Sequence, residues 1–145
     1  MAASSRASAH SKVQLFVSAL EHYVRSAPAQ FLLQKQPYGW QNIEALLLAA
    51  PFNNPAFDGC FIINSTREVA VLPAAALEIV RDFRHAVIEQ IQLNLPEQSH
   101  AAVMADIIWS TLVEAWLEAN DWLDQQEWQA RVTGLLRFLR SSVDR

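Results

Sequence analysis

The chain has 145 residues, of which 52% are hydrophobic and 18% charged, with 11 basic against 15 acidic side chains and a net charge of -4. That balance leaves no broad basic face for a phosphate backbone, and a single cysteine excludes an internal disulfide and any multi-cysteine metal site. The length suits one domain that buries a real core, and the apolar richness predicts a partner surface, most simply a second copy of the chain.

In chain order, "MAASSRASAHSK" is small and polar and lacks the apolar centre of a signal peptide. Residues 1–10 read as a disordered arm or a fragment of something larger, and residues 11–145 as one folded domain. Ser11 to Gln14 forms a capping box, and behind it Val13, Phe16, Val17, Leu20 and Val24 recur at helical spacing up to about Ser26. Pro28 stops or restarts that helix, with Phe31 to Leu33 as a further turn or two. "KQPYGW" is a turn, and "QNIEALLLAA" is a short apolar helix closed by Pro51.

"PFNNPAFD" reads as a loop, with Asp58 as the N-cap of a short helix through Cys60 to Ala70. Pro73 precedes a long helix from Ala74 to Asn94, whose stripe is Leu77, Val80, Val87 and Ile91, widened by Phe83 and Ile88. The next helix, Gln98 to Asn120, is apolar nearly all round, which predicts burial on two sides, one of them against another subunit. Asp124 to Glu127 forms a second capping box for a last helix carrying Trp128, Val132, Leu135, Leu136 and Leu139. No period-two segment is bounded by hairpin turns. The expected fold is therefore an all-α helical bundle of six or seven helices. No apolar run approaches the ~18 residues of a membrane span, and a reducing cytoplasm suits the lone thiol.

Candidate chemistry is sparse. A nucleophilic Cys60 needs a base and an electropositive setting; Asp58 is too weak a base at neutral pH and no histidine adjoins, so packing is the simpler role. His10, His22, His85 and His100 are not spaced as a chelate, and no metal or other cofactor is expected. Asp121, Asp124 and Glu127 cluster where a helix start already favours acids. Arg67 and Glu68 suit an internal ion pair, a ligand contact or a solvated edge. With no Gly-rich phosphate loop and no G-x-S-x-G, an enzyme is not expected.

Two stretches add a resemblance. "HSKVQLFVSALEHYV" resembles the joint between the helix-turn-helix and the effector domain of TetR/AcrR-type transcriptional regulators, through Ser11, Lys12, Leu15, Phe16, Ala19, Leu20 and Tyr23. "DGCFIINSTREVA" is similar to an element of one branch of that family, through Gly59, Cys60, Phe61 to Ile63, Asn64 and Glu68. The resemblance runs from Ser11 to the C-terminus. It implies a ligand-responsive regulator's effector-binding and dimerisation domain, with residues 1–10 as the remnant of a truncated helix-turn-helix, so that DNA is bound only if a longer chain supplies those helices. It further implies a homodimer joined through the last two helices of each subunit and a cavity for a small apolar effector. The expected pocket residues are Phe16, Leu20, Leu47, Phe61, Phe83 and Val87. The expected dimer interface is Met104, Ile108, Trp109, Leu112, Trp116, Leu135 and Leu139. The competing expectation is a headless helical interaction module that pairs with a protein partner or a full-length regulator.

Overall fold

The structure is a computed structural model, and it describes residues 2–50, 60–97, 100–118 and 124–143. Those residues form an all-α bundle of seven helices: α1 (Ala2–Arg25), α2 (Pro28–Leu33), α3 (Trp40–Leu48), α4 (Phe61–Arg67), α5 (Ala74–Leu93), α6 (Ala101–Glu118) and α7 (Gln125–Val143), with a 3-10 turn at Val69–Val71 after α4. None of the helices among the described residues is long and apolar enough to cross a membrane.

The helix starts follow local chemistry. Pro28 occupies the first position of α2, where its missing N–H costs nothing. Pro73 stands immediately before α5, and its carbonyl accepts from Leu77 N–H at 3.0 Å. Asp124 caps α7 as expected: its Oδ2 accepts from the amides of Gln126 and Glu127 at 3.0 and 3.2 Å.

Two helix starts differ from expectation. α1 begins at Ala2, so residues 2–10, expected as an arm, continue the helix and Ser11 lies inside it. Gln14 Nε2 is then 3.1 Å from His10 Nε2 one turn back. An i, i+4 side-chain partner takes the place of the expected cap because the helix already supplies the backbone acceptors there. α4 is shorter than expected and its cap position is Cys60, in extended conformation and without a side-chain bond to the helix amides; Asp58 and Asp121 lie outside the described residues.

α5 is the hub. It packs against α1, α2, α4 and α6, and α3 packs against α2, α6 and α7. The buried stripe of α5 is Ala76, Val80, Phe83, Val87 and Ile91, an i, i+4, i+7, i+11, i+15 pattern. Each of its larger members contributes roughly 1.5–3 kcal/mol by leaving water. α1 docks by its C-terminal half: Leu20 is fully buried and Phe16, Val17, Tyr23 and Val24 are half-buried, whereas Leu15 is 72% exposed. α7 lies chiefly on α3. Trp128 is buried there and donates its indole N–H to Leu47 O at 2.7 Å, while Arg140 pairs loosely with Glu44 at 3.8 Å and sits over the Trp40 ring.

At the opposite edge, two buried asparagines tie α2, α3 and α5 together. Asn94, just after α5, donates from Nδ2 to Leu33 O and Gln90 O, both at 2.8 Å. Its Oδ1 accepts from Gly39 N–H at 3.0 Å and from Asn42 Nδ2 at 2.8 Å. Asn42 Nδ2 also donates to Lys35 O at 2.7 Å and, in a bifurcated bond, to Pro37 O at 3.2 Å. Every donor and acceptor of the Asn94 amide is thereby used, and the 34–39 turn is held against the end of α5.

Candidate ligand cavity

Where α1, α3, α4, α5 and α6 converge they leave a small cavity of about 30 Å³. α1 contributes Tyr23, and the joint between α1 and α2 contributes Ala27, Pro28 and Ala29. Leu46, Cys60, Ile63 and Phe83 form the next part of the wall, and α6 closes it with Trp109, Leu112 and Trp116. The wall positions on α6 are i, i+3 and i+7, one face of a helix. Phe83 meets Trp109 edge to face, with centroids 6.4 Å apart.

Polar chemistry in the cavity centres on one pair. The Tyr23 hydroxyl hydrogen-bonds with the Cys60 side chain and takes a hydrogen bond from the backbone of Phe61. Burial foremost, and then the Cys60 contact, push the phenol well above its ordinary value, while the Phe61 amide opposes the shift. The phenol is therefore a neutral donor at any physiological pH. Around it, Phe61 packs edge-on against both Phe16 and Tyr23, at centroid separations of 5.3 and 5.9 Å. Ser65, buried one turn on, returns its hydroxyl to Phe61 O at 2.8 Å.

Of the six residues expected in the pocket, Phe83 alone lines this cavity. Leu20, Leu47 and Val87 are buried elsewhere in the core, and Phe16 and Phe61 are half-buried in the aromatic cluster behind Tyr23. Periodicity identifies an inward face, but not which part of that face meets a void. The residues expected at the dimer interface are also placed differently. Met104, Ile108, Trp109, Leu112, Trp116 and Leu139 are buried within the single chain, and Leu135 is half-buried. Trp109, Leu112 and Trp116 line the cavity instead. The physical reason is that α3, α4 and α5 all pack against α6 within the chain. What α6 leaves outward is a narrower row that includes Val103, Ile107, Ser110 and Glu114.

Cys60 is a free, buried thiol, consistent with packing. Arg67 and Glu68 are exposed, and no ion pair joins them. His10, His22, His85 and His100 are all exposed, and no cluster among the described residues could hold a metal ion. The Asn42–Asn94 pair was not anticipated. Its available signal was an asparagine in the first turn of an otherwise apolar helix and another just before Leu95 and Pro96.

No family model, curated protein or solved structure matches the chain.

Proposed function

We propose that the chain is the effector-binding and dimerisation domain of a TetR-like, ligand-responsive transcriptional regulator, with DNA read by helix-turn-helix residues that a longer chain would supply. The observation that carries this reading is the small, largely apolar cavity where α1, α3, α4, α5 and α6 meet, beside a hydroxyl–thiol pair. A space of about 30 Å³ holds roughly one water-sized group. A small apolar effector must therefore widen it, displacing helices that also bear on α1. Binding and helix movement are then one event, and the shift is limited by the effector's differential affinity for the closed and widened states.

Titration with naphthalene tests this, followed by quenching of tryptophan emission and by the melting temperature. Saturable binding that is lost when Ala27→Val fills the cavity is expected. Absence of binding, or binding indifferent to that variant, overturns the effector role.

The dimer in this proposal uses the outward row of α6 and the neighbouring face of α7. Val103 is 59% exposed and Phe138 66% exposed, and Arg131 links the two helices through Glu114 at 2.9 Å. Gly134 lies mid-helix on α7, and a Cβ added there meets nothing within 4 Å. Alanine would favour that helix by about 0.8–1.0 kcal/mol, so a second helix passing close over this point gives the glycine a use. Gly134→Ala is expected to stabilise the isolated chain and weaken its self-association in sedimentation. A chain that stays monomeric at micromolar concentration removes the homodimer and favours the second reading, a helical interaction module whose same outward row meets a different protein.

A further inference from the structure

On the other side of Phe83 from the cavity lies an open groove of about 470 Å³ between α1, α2 and α5. Phe83 lines both spaces. The two spaces also alternate along the chain: Tyr23 faces the cavity and Val24 the groove, and Ala27 to Ala29 face the cavity while Gln30 faces the groove. The joint between α1 and α2 thus contributes only two alanines and a proline to the cavity side of the partition. The bulk of the partition is the Phe83 ring, which is 5% exposed.

We infer that Phe83 is the gate of the effector cavity, and that the groove outside it holds the polar end of the ligand. This rests on the effector-domain reading and extends it to a path and a ligand class. Swinging the ring away from Trp109 merges the two spaces into one site, apolar inside and polar at its rim. The rim carries Glu21 and Asp82 against the single guanidinium of Arg25, with Gln30 beside them, and among the described residues none of the three charged groups is in an ion pair. A ligand with an aromatic or branched apolar body and an amine end matches that arrangement better than a carboxylate, because the rim is net negative.

The single cysteine supplies a readout of the gate that does not depend on any ligand. Cys60 lines the cavity, so its rate of modification by methyl methanethiosulfonate reports how often the partition opens. Phe83→Ala and the milder Phe83→Leu are expected to speed labelling, the former by about tenfold, and Phe83→Trp to slow it. Val132→Ala, which weakens α7 away from the partition, controls for general loosening. Equal rates in the native chain and both smaller variants, or equal acceleration by Val132→Ala, overturn the gate.

Ligand class is read separately with dansylcadaverine and dansylglycine, which share a naphthalene body and differ in the charge of the tail. Tighter binding of the amine, with protection of Cys60, is expected. Equal or preferred binding of the carboxylate overturns the assigned class. A gate that responds in the labelling assay while neither probe binds overturns the effector reading but leaves the gate standing.

Discussion

The C-terminal end and the middle of α5 solve the packing problem in opposite ways. Near its C-terminus, Asn94 and Asn42 form a buried polar knot in which each side-chain hydrogen and lone pair of the Asn94 amide has a directed partner. Near its middle, Phe83 faces a wall of apolar side chains that do not quite fill the space between them. Directional bonds hold one geometry and fail abruptly, whereas dispersion contacts around a void yield by small steps. The knot is therefore the more rigid point and the cavity the more yielding one, and the same helix carries both.

Substitution of the knot is the strongest way to break this contrast. Asn94→Ala leaves Gly39 N–H, Leu33 O and Gln90 O without their side-chain partner in a buried setting. Chemical denaturation is expected to show a loss of about 2–4 kcal/mol, since orphaned buried groups cost more than the bond itself. A loss below the error of the measurement would mean that the 34–39 turn is not held by these bonds.

The cavity is expected to respond with the other sign and a smaller size. Ala27→Val adds methyl groups to the wall of an unfilled space and is expected to stabilise by about 0.5–1 kcal/mol while abolishing naphthalene binding. A clearly destabilising result would show that the wall cannot accept the added volume, and that the cavity is tighter than its shape implies.

The smallest effect concerns pH. The folded Tyr23 phenol is held above its ordinary value of 10.0 by burial and the Cys60 contact. Its contribution is present below pH 10 and is lost progressively above it, because the unfolded chain releases that proton first. The melting temperature of the native chain is expected to fall more steeply above pH 10 than that of Tyr23→Phe. Parallel curves would remove the phenol from the linkage.

Much of the helical architecture was legible in the residues, because helix formation is read from neighbours three and four positions apart. Most of the stripe of α5, with Ala76 buried in place of Leu77, the restart at Pro28 and the Asp124 cap follow from such spacing. The start of α1 was misplaced for a related reason: Ser11 and Gln14 have the chemistry of a cap, but a cap forms only where the preceding turn is not helical, and here it is. The candidate site was far less legible. Phe83 was anticipated in it, whereas Tyr23, Leu46 and the joint from Ala27 to Ala29 were not.

Trp109 and Trp116 show the limit most clearly. Their spacing with Leu112 marks a buried helical face, and that much is determined by the sequence itself, because a 3.6-residue period converts position into direction. Whether that face meets a second subunit, a packed neighbour or a void depends on which helices, distant in sequence, arrive opposite it. Such contacts are set by the joint packing of all the helices at once, and no local pattern encodes their outcome. Here α3, α4 and α5 pack against α6 and leave a space behind Phe83, a result that only the tertiary structure decided.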